Sequence, residues 1–114
     1  MRTKVEPLLC ELHAHTTWSD GSLSPRELCD LYGRAGFDVL AVTDHTIRSE
    51  AAVHVHAGNF GAYLDQLTAE AVRARALYDL LVVPGLELTY DDPDPTLSAH
   101  AVAIGLRRDR KSVV

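Results

Sequence analysis

The fold is decided by residues 24–45, which read SPRELCDLYGRAGFDVLAVTDH. Ser24 stands before Pro25, and Glu27 follows three residues after the serine, which is the signature of a capped helix start. Apolar residues then recur at helical spacing and form one face, namely Leu28, Leu31, Tyr32 and Ala35. Gly36 supplies a stop signal. The sequence therefore predicts a helix from about Pro25 to Ala35.

The same stretch continues into residues 37–43, an apolar run typical of a strand that is buried on both faces. Working outward, apolar runs predict three more strands, and helical spacing predicts a second helix before the third strand. The predicted strands are Leu8–Leu12, Leu81–Leu88 and Ala99–Leu106, and the predicted helix covers about Leu64–Leu81. The order of strand, helix, strand, helix, strand, strand predicts an α/β fold whose first three strands are parallel.

The last connection is different, because only positions 88–99 lie between Glu87 and His100, and two of them are prolines. That length is too short for a crossover helix, so we expect the fourth strand to return antiparallel to the third. This return would bring His100 back beside Glu87.

Composition limits the class of protein. The 114 residues suffice for one domain, and 46% hydrophobic with 24% charged residues is ordinary for a folded chain. A net charge of −5 disfavours an extended nucleic-acid surface. We expect no membrane span and a cytoplasmic location, because no long apolar run or secretory leader is seen. Cys10 and Cys29 are interpreted as small buried hydrophobes.

Potential metal ligands follow the predicted strands where each parallel strand ends. His13 and His15 are two residues apart, so both imidazoles leave the same face of the first strand. Any one of these residues has an ordinary alternative: an exposed strand histidine, a turn or a surface carboxylate. Their shared position predicts a metal site. The predicted ligands are His13, His15, Asp20, His45, Glu87 and His100.

Other polar residues fit this site less well. For His54 and His56 we favour a solvated loop over a substrate-facing role. Arg48 could contact a phosphate or lie in solvent, and the two interpretations are balanced. Trp18 is expected to pack, and the acidic turn at residues 91–94 is expected to be solvated rather than to bind calcium.

Four segments, in order, resemble the first four motifs of the PHP (polymerase and histidinol phosphatase) domain. They read ELHAHTTWSDGSLSP, VLAVTDH, VPGLEL and AHAVAIGL, and the resemblance covers most of residues 8–106. It implies a distorted (β/α)7 TIM-like barrel and a metal-dependent phosphoesterase with up to three divalent ions. The carried-over ligand groups are His13 with His15 and Glu87, Asp20 with His45, and Glu87 with His100.

The family's later motifs, which supply a further histidine or cysteine and an Asp-x-His pair, are not found in this sequence. Only RRDRKSVV follows Leu106. Four strands cannot close a small barrel, which takes about eight. We therefore expect residues 1–114 to be the N-terminal part of a single PHP domain from a longer protein, with an incomplete barrel.

The resulting functional hypothesis is hydrolysis of a phosphate ester by a metal-activated water, with no other catalytic group assigned. Imidazole and carboxylate ligands suit zinc, manganese or iron. The expected partner is a small phosphorylated substrate, with a nucleotide end left open, and Arg48 is assigned to the phosphate. Alternatives are a catalytically silent or structural PHP module, associated with a polymerase, and an unrelated metal-binding regulatory module. Substrate identity and oligomeric state stay open.

Overall fold

A four-stranded mixed sheet and two helices make up the part of the chain that the computed structural model describes, residues 7–46, 53–90 and 99–107. The elements, in chain order, are β1 (Cys10–Ala14), α1 (Pro25–Arg34), β2 (Val39–Thr46), α2 (Phe60–Tyr78), β3 (Leu81–Tyr90) and β4 (Ala99–Ile104). This element order is the one that the apolar pattern predicts.

The strands lie in the order β1-β2-β3-β4. β2 pairs in parallel with both β1 and β3, whereas β4 returns antiparallel to β3. The α/β class, the three parallel strands and the antiparallel return are all confirmed. Because the three parallel strands share one direction, their carboxyl ends meet at one edge of the sheet, and β4 begins at that same edge.

Helix α1 begins with the predicted capping box. The Ser24 hydroxyl accepts a hydrogen bond from the Glu27 backbone N–H at 3.2 Å, and the Glu27 carboxylate accepts one from the Ser24 N–H at 2.9 Å. Both bonds satisfy donors that the first turn of a helix would otherwise leave unpaired. Gly36 has a φ of +84°, a left-handed conformation that glycine adopts without strain, and it follows the end of the helix.

Several boundaries differ from the predicted ones. The strands β1, β2 and β3 run two or three residues further than expected. The parallel ladders extend β1 to Ala14 and β2 to Thr46, and the antiparallel pairing with β4 extends β3 to Tyr90. Helix α2 lies three or four residues earlier than predicted, because Asp79 takes a left-handed conformation and ends it. Strand β4 ends at Ile104, where Gly105 has a φ of +79° and its N–H donates to the Pro84 carbonyl.

The core lies between β2 and the two helices. Leu40 and Val42 of β2, Tyr63 and Leu67 of α2, and Cys29 of α1 are all inaccessible to solvent. The second strand is buried on both faces, as its apolar run predicts. Neither described helix combines the length and the apolar character that a membrane-spanning helix needs.

The prediction for the cysteines is half right. Cys29 is buried in the core, but Cys10 is exposed. Cys10 lies in β1, which has one neighbouring strand in the described sheet and therefore leaves more of its side chains open to solvent.

Tyr63 joins helix α2 to the sheet, since its buried hydroxyl donates to the Gly85 carbonyl at 2.8 Å. We expect Tyr63→Phe to lower the free energy of unfolding by about 1–3 kcal/mol, because a buried carbonyl loses its donor. Guanidinium denaturation measures the difference. The control is Tyr32→Phe, which removes a half-exposed bond to Glu11 and should change stability by less than about 0.5 kcal/mol. Equal losses in the two variants would contradict this account.

Candidate metal centre

Glu87 is the residue on which three imidazoles converge. Its Oε1 lies 2.6 Å from Nε2 of His13 and 2.8 Å from Nε2 of His15. Its Oε2 lies 2.7 Å from Nδ1 of His100. The carboxylate is only 3% exposed. Strand β1 therefore delivers two histidines, and β4 a third, to one buried carboxylate of β3.

The antiparallel return places His100 as the sequence predicts, although the two residues are not directly opposite. Glu87 pairs in register with Val102, and His100 pairs with Thr89. His100 and Glu87 are therefore diagonal neighbours on the same face of the β3–β4 ladder, a separation that long side chains can span.

Asp20, in the loop after β1, connects one of these histidines, His15, to a fourth, His45. Its Oδ1 lies 2.7 Å from Nδ1 of His15, and its Oδ2 lies 3.0 Å from Nε2 of His45. His15 consequently faces Asp20 with one ring nitrogen and Glu87 with the other. All six predicted ligands form one continuous cluster at the carboxyl ends of the parallel strands.

Three groups in this cluster have ligand atoms within 4.8 Å of one another, a spacing suited to a shared metal ion. They are His13, His15 and Glu87; His15, Asp20 and His45; and His45, Glu87 and His100. Each contains one of the ligand groups implied by the family resemblance. The geometry adds His15 to the second group and His45 to the third.

Burial and neighbouring imidazoles act in opposite directions on the two carboxylates. Burial raises the pKa of Glu87, but hydrogen bonds from His13 and His15 outweigh it, so the pKa lies below its usual value. Burial likewise raises the pKa of Asp20, and the charges of His15 and His45 outweigh it and lower the pKa. Both side chains are therefore anionic at neutral pH, the form that binds a cation.

The loop that carries Asp20 is fixed by a buried carboxylate that sequence reasoning missed. Asp44 is inaccessible to solvent and accepts hydrogen bonds from the Thr16 N–H at 2.6 Å, the Thr16 hydroxyl at 2.8 Å and the Ser19 hydroxyl at 2.6 Å. Nothing in the sequence distinguishes Asp44 from an ordinary loop residue. Its role becomes visible only when β2 is placed beside the loop after β1.

Gly21 is needed for space. A Cβ atom at this position would lie 2.4 Å from the carbonyl oxygen of His15, which is backbone and cannot move aside cheaply. The loop therefore folds back closely onto the end of β1, and this close approach brings Asp20 towards His15 and His45.

Thr89 is a second residue that the sequence did not reveal. It lies two positions after Glu87, so both side chains occupy one face of β3. Its side chain is 2% exposed, and Oγ1 lies 2.6 Å from Nδ1 of His45 and 3.3 Å from Nδ1 of His100. A strand threonine usually needs no functional explanation, which is why no pattern pointed to it.

Not all of the other candidates belong to the part of the chain that the structure describes. Arg48 and the acidic turn at residues 91–94 fall outside the described residues. Trp18 packs against Tyr63, with its indole N–H donating to Gln66 at 2.8 Å.

The second His-x-His pair, His54 and His56, belongs to none of the three groups found in the described ranges. His56 is exposed, and its Nδ1 accepts from the Gly58 N–H at 3.0 Å. The solvated-loop interpretation fits this position.

One curated protein is similar to this chain in sequence. No family model matches the chain. DNA polymerase/3'-5' exonuclease PolX of Bacillus subtilis (strain 168) is 33% identical over 87 residues, which are 72% of this chain and 15% of the polymerase. The chain therefore spans a small part of that relative.

Two solved structures share the fold. A protein of Bifidobacterium adolescentis, provisionally named a metal-dependent phosphoesterase, matches 87% of this chain and 28% of its own with 26% identity and a TM-score of 0.56. A two-domain protein of Bacteroides vulgatus that contains a predicted PHP-like metal-dependent phosphoesterase matches 97% of this chain and 34% of its own, with 24% identity and a TM-score of 0.55.

The PHP motifs occur in order, and their histidines and carboxylates meet at one end of the sheet. Together with the similarity to the Bifidobacterium protein and the shared fold of the Bacteroides one, they show that this chain resembles PHP-like proteins in sequence and fold.

Proposed function

We propose that this protein hydrolyses a phosphate ester at a site for divalent metal ions. The observation that carries the proposal is that three imidazoles contact the buried carboxylate of Glu87. A second carboxylate, that of Asp20, contacts one of the same imidazoles. The proposed ligands are the residues of the three groups, His13, His15, Asp20, His45, Glu87 and His100.

The donor set suits the proposed ions. Four imidazoles and two ionised carboxylates favour zinc, manganese or iron over calcium or magnesium. Three neighbouring groups provide room for up to three ions. Five of the proposed ligands lie on strands or directly after them, and Asp20 lies in the loop that Asp44 fixes, so the fold restricts the movement of all six.

Bound divalent ions would supply a hydroxide nucleophile near neutral pH and neutralise charge on the phosphoryl oxygens. The protein would then need no serine or cysteine nucleophile. The protein itself would keep the histidines in place through their contacts with Glu87 and Asp20. Asp44 would fix the loop that carries Asp20. We assign Arg48 to the substrate phosphate and a small phosphorylated molecule as the substrate.

We further propose that these four strands are the first part of a distorted (β/α)7 barrel. The matched regions are 28% and 34% of the two solved relatives, the second of which has two domains, and four strands are too few to close a small barrel. Further strands would supply additional ligands and substrate contacts.

A second candidate rests on the similarity to the DNA polymerase/3'-5' exonuclease. On this alternative the site acts on a nucleotide end, or binds metal without catalysis within a polymerase-associated protein. Substrate choice separates these possibilities, because a small phosphate ester lacks the base and sugar contacts that a nucleotide end provides.

Metal binding is tested first. We expect the purified protein to retain zinc or manganese through gel filtration, as measured by elemental analysis. Glu87→Gln keeps the size of the side chain but removes the charge shared by two groups, so it should lose at least one bound equivalent. Glu27→Gln, at the start of α1 and outside the three groups, should bind like the wild type. Equal metal content in all three proteins would contradict the assignment of Glu87.

Hydrolysis is tested with p-nitrophenyl phosphate and with a 3'-labelled oligonucleotide, each with added manganese or zinc. We expect turnover of the aryl phosphate, its loss on chelation, and a fall of about 100-fold or more in His13→Ala, because a misplaced ion no longer aligns with the substrate. Preference for the oligonucleotide would favour the nucleotide-end alternative. A metal-loaded protein that cleaves neither substrate would favour the silent module.

The assignment of Arg48 has a separate test. A guanidinium that contacts the substrate phosphate mainly contributes binding energy. Arg48→Ala should therefore raise KM about 10-fold or more while metal content stays unchanged. Arg75→Ala, which removes an exposed ion pair with Asp79 on α2, is the control. Unchanged KM in Arg48→Ala would remove this residue from the site.

A further inference from the structure

His45 faces two of the three ligand groups with different ring nitrogens. Its Nε2 lies 3.0 Å from Oδ2 of Asp20, and its Nδ1 lies 3.9 Å from Oε1 of Glu87. A neutral imidazole has one nitrogen with a free lone pair and one that carries hydrogen. His45 can therefore offer a ligand atom to only one group, and something must select which one.

Thr89 is the side chain in position to make that selection. Its hydroxyl oxygen is 2.6 Å from Nδ1 of His45, far closer than Glu87 is to the same nitrogen. Thr89 is 2% exposed and His45 is 6% exposed, so bulk water competes little for this contact. An imidazole that binds a metal is commonly oriented by a hydrogen bond at its other nitrogen.

We propose that, when an ion is bound beside Asp20, Thr89 is a positioning residue that holds His45 in the tautomer with hydrogen on Nδ1. The threonine oxygen would then accept this hydrogen, and the lone pair of Nε2 would be available to the ion. Without an ion, the 3.0 Å contact between Nε2 and the anionic Asp20 calls for the hydrogen on Nε2 instead. The inference rests on the proposed function and refines it, because it names the side chain that keeps His45 in the group with Asp20 that the family resemblance implies.

The assignment has a consequence for the third group. With His45 committed to Asp20, the described ligands left for that group are Glu87 and His100. The Thr89 hydroxyl also lies 3.3 Å from Nδ1 of His100, but that nitrogen is closer, at 2.7 Å, to Oε2 of Glu87. Thr89 therefore faces an imidazole of each group, and its shorter contact is with His45.

Two variants isolate the hydroxyl. Thr89→Val keeps the branched shape that suits a strand and removes the acceptor, whereas Thr89→Ser keeps the hydroxyl and removes the methyl group. Zinc binding to the full chain is measured by calorimetric titration. The His45 tautomer is read from long-range ¹H–¹⁵N spectra of the zinc-loaded protein, with His45→Gln used to assign the signals.

We expect wild type and Thr89→Ser to show hydrogen on Nδ1 of His45 and zinc-shifted Nε2. Thr89→Val should lose this pattern and bind the affected zinc equivalent about 10–100-fold more weakly. Wild-type affinity and tautomer in Thr89→Val would overturn the inference while leaving the proposed function intact. A wild-type protein that binds no zinc or manganese would overturn both.

Folding of each variant is checked by circular dichroism. If Thr89→Val does not fold, Thr89→Ser decides the question. Wild-type tautomer and affinity in the serine variant support the hydroxyl as the selecting group, and their loss overturns it.

Discussion

The carboxylate of Glu87, ionised although it is almost completely buried, is the constraint on which the arrangement of this protein depends. A buried charge is costly unless hydrogen bonds or opposite charges compensate for it. Here His13, His15 and His100 supply that compensation from two different strands. Satisfying this one carboxylate requires β1 to run alongside β2 in parallel and β4 to return along β3, so the topology and the polar cluster support each other.

A second buried carboxylate works in a different way. Asp44 accepts hydrogen bonds from neutral donors of Thr16 and Ser19, which lie in the loop after β1. Glu87 therefore gathers side chains that can bind a cation, whereas Asp44 fixes backbone. The next residue, His45, contacts Asp20 directly. Strand β2 therefore fixes the Asp20 loop through Asp44 and also supplies the imidazole that Asp20 contacts.

Local signals in the sequence predicted much of this structure. The capping box at Ser24 fixes the start of α1, and the short link before His100 excludes a crossover helix, so both are readable without neighbours. The meeting of the six candidate ligands could be predicted because parallel strands bring their ends together and the short link returns β4 to the same edge. Thr89 and Asp44 could not be predicted in the same way, because a threonine in a strand and an aspartate at a strand end are common. Only the register between strands shows what these side chains contact.

The contacts in the cluster also define what a metal ion has to replace. Each short imidazole–carboxylate contact requires a hydrogen between nitrogen and oxygen, so the ligand nitrogens of His13 and His100 hold hydrogens when they face Glu87. Metal binding needs the lone pairs of those nitrogens and therefore releases the hydrogens. His45 makes a contact of the same kind, with Nε2 3.0 Å from Asp20, but its Nδ1 lies 2.6 Å from the Thr89 hydroxyl, so its hydrogen can move to Nδ1 and stay on the ring when an ion takes Nε2. The fold thus brings the ligands together before any ion arrives, and the distribution of hydrogens among them determines which group can accept one.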